Sequence, residues 1–95
     1  MKLSDEQKLA MSEKGIPEYM HGGLIRYYEN GINPGDFLTA LLNNDLKETF
    51  GRADDTNRYC IRNYILWLYS HAPTGSWGHS DAVDNWINGF TVEEK

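Results

Sequence analysis

The stretch Gly35–Gly51, GDFLTALLNNDLKETFG, decides the fold. A helix turning about 100° per residue puts Leu38, Leu41, Leu42 and Leu46 on one stripe, the mark of an amphipathic helix packed on a core. Asp45 falls near the centre of that stripe. An ionised carboxylate aimed into a core costs several kcal/mol unless it is paired or hydrogen-bonded, so this reading requires something to meet it. The candidates are Asn57, an arginine from Arg52 or Arg58, and the backbone N–H groups near Asp54–Thr56. Such a junction is either a structural lock on the turn between two helices or a pocket in which Asp45 accepts a donor from a bound molecule. With a buried arginine as the partner, Asp45→Ala is expected to cost about 3–5 kcal/mol.

The flanking punctuation frames further helices. Upstream, Asn33 is a cap, Pro34 takes the first turn, Asp36 lies at the positive end of the dipole, and Gly51 terminates the segment. Ile16-Pro17-Glu18 starts a preceding helix at about 17–30, closed by Gly31. Ser4 with Gln7 reads as a capping box for a short first helix ending at Gly15, with apolar periodicity weak enough for a fraying arm. Downstream, Asp54, Asp55 and Thr56 cap a helix running to about Ser70, where Ala72-Pro73 forbids continuation. After the turn-rich Pro73–Gly78, Ser80 with Asp81 opens a last short helix ending at Gly89, and Thr91–Lys95 reads as a loose tail. Without repeats, low-complexity tracts or a convincing strand, the fold class is all-α: a compact single-domain bundle of four to five short helices. Residues 1–15 form a short helix or arm, 16–90 the helical domain and 91–95 the tail.

Composition narrows the function classes. Lys plus Arg total 9 against 14 Asp plus Glu, and a net charge of −5 argues against sequence-independent binding to duplex DNA, which needs a basic footprint. The lone Cys60 cannot form an internal disulfide. The polar N-terminus does not read as a signal peptide, and no run approaches the roughly 18 apolar residues of a membrane span, so a cytoplasmic setting and no membrane partner are expected.

Catalytic and metal patterns are missing. His21, His71 and His79 have no i, i+4 spacing, Asp54–Asn57 lacks the glycine and glutamate offsets of a calcium loop, and Gly75–Gly78 lacks the lysine of a phosphate loop. No enzyme, metal or cofactor is expected on these criteria.

Two surfaces remain as candidates. On the helix beginning near Asp54, Cys60, Ile61, Tyr64, Ile65, Trp67 and Leu68 make the core arc, while Arg58, Tyr59, Arg62, Leu66 and Tyr69 cluster opposite. Arginine and tyrosine around a leucine have the composition of an interface hot spot, covered by a partner, by another copy of this chain, or by the first or last helix as ordinary packing. The second surface starts from Gly22 and Gly23, which cost roughly 1–2 kcal/mol inside a helix and so call for close backbone approach. Gly23 shares a face with Tyr19, Arg26 and Asn30, a notch suited to a planar or anionic ligand or to tight helix packing.

The run Ile16-Pro17, Gly22-Gly23, Arg26-Tyr27, then GINPGDFLTALLNNDLKETFGRADDTN, and finally Trp67, Tyr69, Ala72-Pro73 and Trp77-Gly78, resembles a family of short phage and prophage accessory proteins. The pattern is Pro-Gly-x-Phe-Leu, Asn-Asp-Leu and Arg-Ala-Asp, matched at Pro34–Leu38, Asn44–Leu46 and Arg52–Asp54; Ser76 departs from it, standing where a cysteine is expected. The resemblance implies a small accessory protein acting on host machinery inside the infected cell. Three expectations compete. The first is a non-enzymatic binder of a host protein, for instance an antiviral-defence component, through Arg58, Tyr59, Arg62, Leu66 and Tyr69. The second is a protein that sequesters a small nucleotide signal, using Tyr19, Arg26, Asp45, Asn57 and Trp77 at a subunit junction of a homo-oligomer. The third is an acidic DNA mimic built on Glu48, Asp54, Asp55, Asp81 and Asp84.

Overall fold

A computed structural model describes residues 2–93. Six α-helices follow in order: α1 Asp5–Glu13, α2 His21–Asn30, α3 Asp36–Leu42, α4 Leu46–Arg52, α5 Asp55–His71 and α6 Ala82–Glu93, with a 3-10 turn at Glu18–Met20 before α2. The all-α bundle is as expected, and no strand occurs among the described residues.

The main departure is the segment on which the fold was read. Gly35–Gly51 is not one helix but two, broken at Asn43-Asn44-Asp45. Asn44 is left-handed at φ 60°, and the Asp45 and Asn44 amides donate to the Ala40 and Leu41 carbonyls at 2.9 and 3.2 Å. This is a Schellman closure with asparagine in the usual glycine place. Asp45 then caps α4: its carboxylate accepts from the Glu48 amide, and its carbonyl accepts from the Thr49 amide and hydroxyl. The leucine stripe is cut accordingly. Leu38, Leu41 and Leu42 are buried, whereas Leu46, carried past the break, is 72% exposed. Gly51 lies within α4, which ends one residue later at Arg52.

Four aromatics fill the middle of the bundle. Tyr28 stands 4.9 Å from Tyr27, 5.8 Å from Trp67 and 5.5 Å from Trp86 between ring centroids, mostly in the edge-on and tilted arrangements aromatic quadrupoles favour. Each polar tip has a partner. The Tyr28 hydroxyl meets Ser76 Oγ at 3.1 Å, and Ser76 Oγ donates to the Pro73 carbonyl at 2.7 Å. Tyr27 donates to the Ser76 carbonyl, Trp86 Nε1 to the Tyr27 carbonyl and Trp67 Nε1 to the Gln7 carbonyl. Ser76, fully buried, thereby ties the Pro73–Gly78 loop to α2; a thiol there would be a weaker partner for both oxygens.

Other expectations shift at the edges. The capping box at Ser4 forms, but α1 is docked rather than a free arm: Leu3, Ala10 and Met11 are buried, Gln7 Nε2 donates to the His71 carbonyl, and Glu29 accepts from the Leu3 amide beside Lys8 Nζ at 3.4 Å. Gly22 and Gly23 fall in the first turn of α2, where they cost less than in a helix interior; a Cβ on Gly23 would sit 3.5 Å from Leu38, so the glycine serves the α2–α3 approach. The last helix continues through Gly89 to Glu93, so most of the expected loose tail is helical, and residues 94–95 lie outside the described residues.

Gly31 closes α2 at φ +66° with the Phe90 ring 2.5 Å from where a Cβ would stand, while Gly75, at φ +85°, has nothing within 4 Å. Both alanine variants incur the left-handed penalty of about 1–2 kcal/mol, and Gly31→Ala adds an overpacking cost of about 1–3 kcal/mol. Urea denaturation of the two variants is expected to give the larger loss for Gly31→Ala; equal losses would contradict the Phe90 contact.

Candidate functional site

The solvent side of α5 is the most exposed apolar feature of the fold. Opposite the buried Asn57, Tyr64, Trp67 and Leu68, the helix presents Arg58, Tyr59, Arg62, Leu66 and Tyr69. Tyr59 is 80% exposed and Tyr69 78%, Leu66 is half-buried, and neither α1 nor α6 covers them: α1 meets α5 through Trp67 and His71 on the far side. Arg58 lies over the Tyr59 ring at 5.2 Å and within 3.5 Å of the exposed Asp55 carboxylate. Tyr69 meets Trp77 edge-on, centroids 4.9 Å apart, so the Pro73–Gly78 loop extends the aromatic surface beyond the helix.

On one flank of this face lies a groove of about 130 Å³ lined by Leu41, Asn44, Leu46, Thr49, Ile61 and Ile65. Leu46, on its α4 wall, is largely exposed, and Phe50, four residues further along α4, is half-exposed. These α4 residues were missed as surface because the unbroken-helix reading put Leu46 in the core. The signal was present in Asn43-Asn44-Asp45, three poor helix formers whose side chains compete with the backbone, followed by Glu48 three residues after Asp45.

The buried polar junction expected at Asp45 does not form. Asp45 is exposed and lines, with Asp36, Thr39, Ala40, Asn43, Glu48 and Arg52, an open groove of about 250 Å³. Arg52 pairs there with Glu48 at 3.2 Å and Asp36 at 3.6 Å, and Arg58 is on another helix face altogether. Asn57 is buried as expected but partners Tyr64, whose hydroxyl donates to Asn57 Oδ1 at 2.6 Å. Burial pushes the Tyr64 phenol well above its ordinary pKa, which keeps it a donor.

Nor do the other nucleotide-site candidates converge. Arg26 is exposed and folds back over Gly22, and Trp77 belongs to the Tyr69 contact. Tyr19 donates to Asp54 Oδ2 at 2.6 Å while the Asn57 amide donates to Asp54 Oδ1 at 2.7 Å, so this carboxylate clamps the 3-10 turn to the start of α5. The Tyr19 hydroxyl, with the Asn57 amide, holds the Asp54 pKa below the usual carboxylate value, and the same bond raises that of Tyr19. His21 and His79 contact the backbone carbonyls of Ile16 and Gly75. Among the described residues no three His, Cys, Asp or Glu side chains converge as a metal site, and no helix is long and apolar enough to cross a membrane.

Compared with known protein families, with curated proteins and with solved structures, this chain matches none.

Two outcomes check this geometry. As an exposed N-cap, Asp45 is expected to cost about 1 kcal/mol on replacement by alanine, whereas Asn57→Ala strands the buried Tyr64 hydroxyl at about 1–3 kcal/mol. The reverse order in denaturant titrations would restore the buried junction. For Asp54, a lowered folded pKa means that the Tyr19 clamp contributes above the ordinary carboxylate pKa and is lost as pH falls through the folded value. Tyr19→Phe is therefore expected to move the Asp54 pKa upward in a carboxyl-carbon NMR titration; an unmoved midpoint would remove the hydrogen bond.

Proposed function

We propose that this chain is a small non-enzymatic binding protein whose working surface is the solvent face of α5, and that its target is a protein rather than a small molecule. The observation that carries the reading is the pair of tyrosines, Tyr59 and Tyr69, standing about four-fifths exposed on either side of Arg62. Monomeric proteins scatter single apolar side chains on their surfaces, but tyrosine, arginine and tryptophan gathered on one face beside leucine are the composition of binding hot spots. Following the likeness of its sequence pattern to phage accessory proteins, the target is a protein of the host cell, and binding modulates that protein stoichiometrically.

Sequestering a nucleotide is the less supported reading, because Tyr19, Arg26, Asp45, Asn57 and Trp77 sit in separate surroundings. The acidic residues named for DNA mimicry are likewise dispersed in role, with Glu48 paired to Arg52, Asp54 to Tyr19 and Asp55 to Arg58.

The test is the double variant Arg62→Glu with Leu66→Asp, used as bait beside the native chain in host lysate. With circular dichroism unchanged, the native chain is expected to retain a target at near-stoichiometric yield and the variant to lose at least about tenfold. Equal recovery by a folded variant would remove the face from consideration.

A further inference from the structure

The groove beside the α5 face has a shape and a charge pattern that select among partners. Ile61, Ile65 and Tyr69 recur at i, i+4 and i+8, so they lie on one stripe rising about 12 Å along the helix. Leu46 on α4 lines the groove with the two isoleucines, and one turn further along the stripe Tyr69 packs edge-on against Trp77. A trough of about two helical turns with apolar anchors at that spacing suits an amphipathic helix laid into it.

Charge is segregated around this trough. Asp45 and Glu48 of α4 line the opposite groove with Asp36, where Arg52 neutralises part of their charge. Beside the trough, Arg62 of α5 has no carboxylate within 4 Å among the described residues, and neither has Lys47, which follows Leu46 on α4. Arg58 holds only Asp55, which is almost fully exposed. In a chain of net charge −5, Arg62 and Lys47 thus add positive charge at the trough that no neighbouring carboxylate within 4 Å offsets among the described residues.

A second copy of this chain fits poorly. In a two-fold contact each residue of the patch faces the same patch, so pairing centred on this stripe sets Arg58 and Arg62 against their own counterparts, between molecules each carrying −5.

We propose that the occupant is an acidic amphipathic helix of the target protein, its apolar edge on Ile61, Ile65, Leu46 and Tyr69 and its carboxylates on Arg62, Arg58 and Lys47. This rests on the reading of α5 as the binding surface and adds the chemistry of what it binds. Charge complementarity at such a rim contributes mainly to selectivity and to salt dependence.

The test uses the full chain and two synthetic peptides of about five helical turns, with identical leucine and phenylalanine stripes flanked by glutamates in one and lysines in the other. Calorimetric titration is expected to give at least about tenfold tighter binding of the glutamate peptide at low salt, an advantage that shrinks as salt rises. Arg62→Glu, at an exposed position, is expected to invert the order. If the two peptides bind equally and Leu46→Asp still abolishes both, the acidic preference is overturned while the binding face stands. If neither peptide binds, the proposal is overturned, and sedimentation then separates its failures: a dimer lost on Leu66→Asp identifies a second copy as the occupant, and a monomer removes the face as well.

Discussion

The left-handed turn at Asn44 is the constraint on which the rest of the surface depends. Had the leucine stripe continued through it, Asp45 would point at the core, Leu46 would be buried, and α3 and α4 would form one rod. Instead the Ala40 and Leu41 carbonyls are closed by the two amides after Asn43, and Asp45 turns its carboxylate to the next helix. Asparagine can hold φ near +60° because its short polar side chain tolerates that region better than a branched or bulky residue does. One residue in this conformation therefore resolves the buried-charge problem and sends an apolar helix face, Leu46 with Phe50, to the outside.

That is also where sequence reading and structure part company. Caps and stops were legible because they are local chemistry: Ser4 with Gln7, Gly31, Asp54 and the Ala72-Pro73 boundary all stand within a residue or two of the observed ends. The core face of α5 was legible at Tyr64, Trp67 and Leu68 because its period is sustained over 17 residues, whereas Ile61 and Ile65, read into the same arc, are only half-buried and line the groove. The break at Asn43–Asp45 was misread because hydrophobic periodicity across it is nearly continuous, and two short helices in register with one stripe have the same pattern as one long helix. Docking of α1 was hidden for a different reason. It is held by Trp67 and His71 reaching its Gln7 from some sixty residues away, through backbone carbonyls that carry no sequence signature. The exposed α5 face was found from composition, while its α4 wall was not, since Leu46 had already been assigned inward.

The aromatic centre explains how so short a chain supports this arrangement. Tyrosine and tryptophan contribute large apolar area, but each adds a polar atom that is costly to bury unpaired. Here every such atom has a partner, and no buried side-chain donor or acceptor among the described residues is left without one. Because the partners are mostly backbone carbonyls in loops and other helices, the same bonds that satisfy the rings fix distant segments: Trp86 holds α6 to α2, Trp67 holds α1 to α5, and Tyr28 with Tyr27 holds the Ser76 loop. The core is as much a set of anchoring points as a volume of buried hydrocarbon.

This anchoring has a directional consequence for α5. Trp67 binds α1 on the core side of the helix, and the Tyr27–Trp86 bond places α6 against α2. Neither terminal helix is thus free to fold over Tyr59 and Tyr69, since both are committed elsewhere by specific hydrogen bonds. Drawing α1 across to the solvent face would strand the Trp67 indole N–H and expose Met11 and Ala10, which are now buried. Covering two tyrosines would offset that poorly, since a tyrosine at a surface already keeps its hydroxyl solvated. The exposed face is therefore a consequence of how the core is tied together, and an external chain can cover it without undoing those ties.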